Sequence, residues 1–394
     1  MPEVKPDIET FAKIKVIGVG GSGGAAINRM IQSKIRGIEF IAINTDLQAL
    51  HYSLAPNKVH IGKAVTKGLG AGMDPEVGRR AAEESQNEIR DALKGADMVF
   101  VACGLGGGTG SGAAPLVADI ARDTGALTVA VVTKPFAFEG GKRKDIAERA
   151  HAELSDKVDT IITIPNDRVL QITDKKTTLL ESFAIVDDIL RQGVQGISEI
   201  ITVPGQTNAD FADVKTIMSH GGSAFMGIGR GSGENRAVEA AKAAISSPLL
   251  EVSIDGARGI LFNITGNSSL AMHELNEAAK IITNSADPNA LIKWGLVFDE
   301  DMKDEVKITV IAAGFAESRE ASLSAAKLGA PLPMKTPYRP STHFGIKEIT
   351  KEEKPPKSAF DVKPVAVLKK EDTQKLEEDD LEVPAFLRKK MGRQ

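Results

Sequence analysis

Gly104-Leu105-Gly106-Gly107-Gly108-Thr109-Gly110-Ser111-Gly112 stands between the apolar run Met98-Val99-Phe100-Val101-Ala102 and the segment Ala113-Ala114-Pro115-Leu116-Val117-Ala118-Asp119. The order predicts a strand, a loop and a helix. Six of the nine loop residues are glycine and only Thr109 and Ser111 carry a polar side chain, so the loop offers a ligand chiefly backbone N–H groups. Amides gathered at a helix N-terminus bind anions, phosphate above all. Neither Gly-Lys-Ser nor Gly-Lys-Thr occurs, which excludes the lysine-bearing P-loop; amides, the helix dipole and the Thr109 hydroxyl would have to do the holding. A flexible linker would be flanked by polar sequence, whereas this loop follows buried-strand sequence.

At 394 residues, 42% hydrophobic and 26% charged, the chain can bury two cores and leave a tail, so two domains are expected. A net charge of -4 provides no basic footprint, and nucleic acid is not expected as a partner. The lone cysteine, Cys103, cannot close an intrachain disulfide, and the 6 histidines show no paired ligand spacing, so no protein-built metal site is expected. A reducing, cytoplasmic setting fits both. Residues 1–10 are polar and acidic and no run of about 18 apolar residues follows, so neither a secretion leader nor a membrane span is expected.

Strand, turn and helix also succeed one another near the start. Lys13-Ile14-Lys15-Val16-Ile17-Gly18-Val19 leads into Gly20, Gly21, Ser22, Gly23 and Gly24, then a helical pattern through Met30 and Ile31. Gly18, Gly20 and Gly23 match G-x-G-x-x-G, and the run 40–46 ends in Asp46, where a Rossmann protein holds a ribose; a nicotinamide or flavin enzyme is one reading. A dinucleotide needs only one such turn, and two suit a longer phosphate chain. A third glycine-rich turn, Gly68-Leu69-Gly70-Ala71-Gly72, precedes Asp74-Pro75-Glu76, a cap, an N1 proline and a first-turn acid that predict one helix to about residue 93. Strands are predicted over 126–133 and 158–164 with a helix over 142–154 between them. This alternation predicts a parallel, doubly wound sheet with its ligand beyond the C-terminal strand ends, where the glycine turns, Asn44, residues 135–141 and Asn166 all fall.

Leu179, Leu180, Phe183, Val186, Ile189, Leu190, Val194, Ile197 and Ile201 recur every three or four residues and predict one long helix over 177–201, a spine between domains. Gly193 and Gly196 cost it about 1 kcal/mol each relative to alanine, which points to an element packed closely there. Beyond Pro204-Gly205, helices over 210–218, 234–245 and 270–282 alternate with strands over 223–229 and 259–264, and two successive strands follow at 291–298 and 306–312, so the second sheet should be mixed. After about residue 316 Lys, Glu, Ser and Pro dominate, a composition that predicts disorder. Asp380, Leu381, Pro384, Phe386, Leu387 and Arg388 then form a segment that reads as a docking peptide folding on a partner. The expected organisation is a tail (1–12), a nucleotide domain (13–176), a central helix (177–203), a second domain (204–316), a linker (317–379) and the docking peptide (380–394).

Four features coincide: the GGGTGSG of residues 106–112, the glycine turn at Gly20, the long helix, and Asn208-Ala209-Asp210-Phe211-Ala212-Asp213 beyond it. Together they resemble the tubulin/FtsZ GTPase family, over about residues 13–315 and the terminal peptide. The resemblance implies a tubulin-like α/β fold and a GTPase that polymerises head to tail into division-ring filaments at the bacterial septum, cytoplasmic and concentrated at mid-cell. It implies that Gly20, Gly21, Ser22, Gly23, Gly24 and Ala25, with Gly104, Gly106, Gly107, Gly108, Thr109, Gly110, Ser111 and Gly112, surround the phosphates of GTP or GDP. Asn44, Ala71 and Gly72 would lie nearby, and Mg2+ is expected with the nucleotide. Glu139 would take ribose hydroxyls, Arg143 would approach sugar and phosphates, and Asn166, Phe183 and Asp187 would hold guanine. A carboxylate facing the guanine N–H donors favours GTP over ATP. On residue type alone, Glu139 and Arg143 read as a solvated i, i+4 pair and Asp187 as an exposed helix acid. Asp188 leaves open which acid meets guanine, and Ser22 stands where many relatives have glycine.

Asp210 and Asp213, three apart at a helix start, can face the same way and by themselves read as first-turn acids complementing the dipole. The resemblance implies instead that they and Asn208 enter the neighbouring subunit's site and polarise the attacking water, so that hydrolysis requires assembly. It also implies an actin-like membrane tether and other division partners for the terminal peptide. Beside this stand an NAD-dependent oxidoreductase using only the first turn, and another tubulin-like filament such as one for plasmid segregation.

Overall fold

A computed structural model of the chain describes residues 12–315 except positions 36, 172, 174–175, 203–209, 220, 249–253 and 255. Asn208, the expected linker and the terminal docking peptide lie outside the described residues. In chain order the elements are β1 (Ile14–Val19), α1 (Gly20–Gln32), β2 (Ile38–Asn44), α2 (Leu47–Tyr52), β3 (Asn57–His60), α3 (Lys63–Thr66), α4 (Pro75–Glu84), α5 (Gln86–Leu93), β4 (Met98–Gly104), α6 (Thr109–Asp123), β5 (Leu127–Lys134), α7 (Gly141–Ser155), β6 (Thr160–Pro165) and α8 (Asn166–Val169). The long α9 (Leu179–Thr202) leads to α10 (Phe211–Met218), β7 (Gly222–Ser232), α11 (Arg236–Ile245), β8 (Gly259–Gly266), α12 (Met272–Asn284), β9 (Leu291–Phe298) and β10 (Glu305–Ala313).

The strands form one sheet in the order β3-β2-β1-β4-β5-β6-β7-β10-β8-β9. The first six run parallel, in the order of a doubly wound nucleotide-binding sheet. A short parallel pairing, Thr160 with Gly222 to Ile162 with Ala224, joins β6 to β7. Beyond it β10 lies antiparallel to both β7 and β8, and β8 runs parallel to β9, so the second part is mixed as expected.

Residues two apart on a strand share a face. Val16, Phe100, Val129 and Val131 therefore pack on one face with α1 and α9, while Ile17, Val101 and Val132 pack on the other with α4 to α7. The same alternation sends Met226, Leu261 and Ile311 to the α9 face and Ile260, Phe262 and Val310 to a core under α11 and α12. Helix α9 thus seals both parts of the sheet. A Cβ on Gly193 would lie 3.2 Å from Met226 Sδ, and one on Gly196 would lie 3.3 Å from Thr309 Cγ2, which accounts for both glycines.

The helix expected from Asp74 to residue 93 is instead two, α4 and α5, broken at Ser85. Ser85 is buried, its Oγ accepts the Gly62 N–H at 3.2 Å, and its backbone leaves the helix at φ -111, ψ 26. A tertiary partner overrides the local pattern there. Among the described residues no helix is long and apolar enough to cross a membrane.

Candidate active site

Strands β1 and β4 are neighbours, with Val19 opposite Cys103, so the turns that follow them emerge side by side where the strand order reverses. Gly20 opens α1 at φ 75, a conformation that favours glycine, and a Cβ there would lie 3.0 Å from Gly110 N. A Cβ on Gly104 would collide with Ser22 Oγ, and one on Gly112 with the Pro75 carbonyl of α4. The glycines therefore serve packing as well as amide exposure, because three helix starts crowd onto one loop. The two polar side chains of that loop also work within the fold. Ser111 is buried and its Oγ accepts the Gly106 N–H at 2.9 Å, while Thr109 Oγ1 lies 2.6 Å from Thr45 Oγ1.

Above these turns opens a cavity of about 360 Å³ lined by Gly21, Ser22, Asn44, Gly104, Gly107, Gly108, Thr109, Gly110 and Arg143, with residues 70–73 closing one side. A recess of about 170 Å³ adjoins it, lined by Gly20, Gly24 and Ala25. Asn44 Oδ1 accepts the N–H groups of Thr45 (2.8 Å) and Asp46 (3.2 Å), which fixes the β2–α2 turn. Asp46 in turn accepts from Gln48 N (2.8 Å) and Ala49 N (3.1 Å) as the N-cap of α2. The acid that the oxidoreductase reading would assign to a ribose is thus spent on a helix cap. A larger depression, about 650 Å³, lies beyond the loop between α4, α6 and α7; its Arg79 is already paired with Glu76 and Glu83.

On the opposite side of the cavity, Glu139 accepts the Phe136 N–H at 2.9 Å and pairs with Arg143, whose Nε is buried without a partner among the described residues. The pair is more enclosed than a solvated surface pair, Glu139 retaining 13% side-chain exposure. Asn166, at the start of α8, is buried with its Oδ1 likewise unpartnered. Phe183 projects from α9, 40% exposed, its ring edge-on to Phe136 at 5.5 Å between centroids. One turn further along, burial pushes the Asp187 carboxyl up to about 6, with Arg29 of α1 pulling the other way. Burial also pushes Asp188 up, but its hydrogen bonds to Arg191 and Gln192, both 2.7 Å, and the charges of Arg191 and Arg29 leave it net lowered. Asp188 is therefore engaged along its own helix, and Asp187 is the acid whose charge burial leaves net disfavoured.

Asp210 caps α10 in extended conformation, exposed, and its side chain makes no capping bond. Asp213 lies in the first turn, where its Oδ2 meets Lys293 Nζ of β9 at 2.6 Å. Neither acid is among the residues lining the cavity. Helix α10 instead meets the starts of β6 and β9, where Thr160 Oγ1 donates to the Met218 carbonyl and Lys293 pairs with Asp213, at the strand ends opposite those that carry the glycine turns. Thr45, Arg29, Met73 and Lys293 were not singled out by sequence reasoning. Thr45 adjoins Asn44, and Lys293 is a lone charge in the apolar strand Leu291-Ile292-Lys293-Trp294-Gly295-Leu296; those were the available signals. Among the described residues no group of three or more His, Cys, Asp or Glu could hold a metal ion.

Residues 13–174 match the model of the Tubulin/FtsZ family, GTPase domain, and residues 222–316 match that of the FtsZ family, C-terminal domain. Two solved structures of FtsZ from M. jannaschii, an empty dimer and a point mutant, are 44% identical with a TM-score of 0.75; each comparison covers 78% of this chain, and 89% and 92% of theirs. A GTPgS-bound protofilament of CetZ2 from Haloferax volcanii, 22% identical over 80% of this chain and 97% of its own, shares the fold with a TM-score of 0.66.

Proposed function

The chain belongs to the FtsZ family of filament-forming cell-division GTPases, and from that premise we propose that each subunit binds GTP above β1 and β4 and hydrolyses it with acids of the next subunit. The backbone amides at the starts of α1 and α6 hold the phosphates, with the Ser22 and Thr109 hydroxyls beside them. Arg143 reaches sugar and phosphate, and Glu139 the ribose. Asn166 offers its open acceptor and Asp187 a carboxylate to the guanine N–H groups, with Phe183 against the ring, which selects guanine over adenine. The donor set is amide and hydroxyl rather than carboxylate, which suits Mg2+ carried in by the triphosphate and its waters.

The observation that carries shared catalysis is the disposition of acids. Of the carboxylates at the cleft, Asp46 is committed to capping α2, Glu139 is paired with Arg143 and assigned to the ribose, and Asp187 is assigned to guanine, while Asp210 and Asp213 are not among the residues lining the cavity. A water-orienting carboxylate must then come from outside, and head-to-tail stacking supplies Asp210 and Asp213, with Asn208 supporting them. The M. jannaschii FtsZ structure is a dimer and the CetZ2 structure a protofilament, which supports self-association as the way that acid is supplied. In the cell the filament would stand at the division site, tied to membrane tethers and other division proteins through residues 380–394. GTP turnover per molecule, measured against protein concentration with light scattering alongside, tests this. It should rise cooperatively above a threshold; a flat specific activity down to high dilution would overturn it.

A further inference from the structure

Strand β9 is the edge of the sheet, and its alternate residues Ile292, Trp294 and Leu296 pack toward the core under α11 and α12. Lys293 therefore points to the opposite face, where a Cβ on the next residue of that face, Gly295, would lie 3.0 Å from Ile200 of α9. On that face the Lys293 ammonium meets Asp213 at 2.6 Å, a pairing across 80 residues of sequence. Asp213 N–H donates to the Asp210 carbonyl at 2.9 Å, so the backbone bearing both acids is tied into one helical turn that Lys293 grips from the side.

We propose that Lys293 is a positioning residue for GTP hydrolysis: it fixes the Asp213 carboxylate in the orientation presented to the neighbouring subunit, and it brings a positive charge to a contact that otherwise adds two carboxylates to a triphosphate. This rests on the donated-acid reading above. The pair is too exposed, 44% and 36% for the two side chains, to matter greatly to folding. Its effect lies in geometry, where a displacement of about 1 Å can cost about a hundredfold in rate, and in the like-charge repulsion it relieves.

The test compares Lys293→Met, Lys293→Gln and Lys293→Arg with Asp213→Asn in the full chain, reading turnover per sedimented subunit, GTP affinity of the dilute subunit and thermal midpoint. Lys293→Met and Lys293→Gln should lower turnover per assembled subunit about tenfold, with GTP affinity and midpoint unchanged. Lys293→Arg should recover most of it, and Lys293→Met added to Asp213→Asn should cost nothing more. Turnover within about twofold of the parent in both neutral variants, while Asp213→Asn is inactive, overturns the role of Lys293 alone. Full turnover in Asp213→Asn overturns the donated-acid reading beneath it.

Discussion

Thr45 Oγ1 and Thr109 Oγ1 lie 2.6 Å apart, a hydroxyl pair that ties the turn after β2 to the loop after β4. Thr45 is fully buried and its side chain has no route to a ligand, so it acts by holding Thr109. Thr45→Val keeps the volume and removes one bond of about 0.5–1.5 kcal/mol. GTP affinity, measured by titration calorimetry, should fall by about two- to tenfold with the thermal midpoint little changed.

Gly104 and Ser22 compete for one space. Gly104→Ala overpacks the loop at a cost of about 1–3 kcal/mol and should weaken GTP binding in proportion. Adding Ser22→Gly vacates the space, so the double variant should bind better than Gly104→Ala alone. A double-mutant cycle on binding free energy reads this coupling, and strict additivity would show that the clash is not what disables the loop.

Asp187 sets a pH limit on nucleotide binding. Its carboxyl titrates at about 6 because burial disfavours the charge, and only the ionised form can accept both guanine N–H groups. GTP affinity should be constant above pH 7 and fall toward tenfold per unit below 6, whereas Asp187→Asn should bind weakly at every pH. The stability sign is opposite to that of a salt-bridged acid. Because the folded value lies above the unfolded one, the contribution is present at low pH and lost as pH rises through about 6. Asp187→Asn should accordingly raise the midpoint at pH 7.5, measured by calorimetric scanning.

Arg236 is the buried cation of the second core, bound to Glu274 at 3.2 Å and Ser269 Oγ at 3.1 Å, so it joins the starts of α11 and α12. Arg236→Ala would leave the part-exposed Glu274 without its partner and remove a buried side chain, at a cost of about 2–3 kcal/mol in chemical denaturation. GTP affinity of whatever remains folded should be unchanged, because no part of this cluster lines the cleft.

Much of this was readable from residue order because it depends on local pattern. Alternating apolar runs and glycine turns predicted the doubly wound sheet, and heptad-like spacing predicted α9, with Gly193 and Gly196 flagging the strands that press on it. What escaped depends on partners distant in sequence. Ser85 breaks a helix because Gly62 donates to it, and β3 is a short, largely exposed edge strand without apolar alternation. Asp188 has its partners Arg191 and Gln192 three and four residues along α9, but that Asp187 is the desolvated acid depends on how α9 packs, with Arg29 of α1 as its nearest opposing charge. The hold of Lys293 on Asp213 requires the register of an edge strand that no motif encodes.

Mixing two disabled chains tests shared catalysis most directly. One carries Asp210→Ala with Asp213→Ala and keeps its cleft; the other carries Asp187→Ala and keeps its acids. Each alone should turn over little GTP, and the mixture should exceed their sum severalfold, since acids of the second complete the cleft of the first. A mixture in which both chains sediment together yet turnover equals the sum would contradict the account.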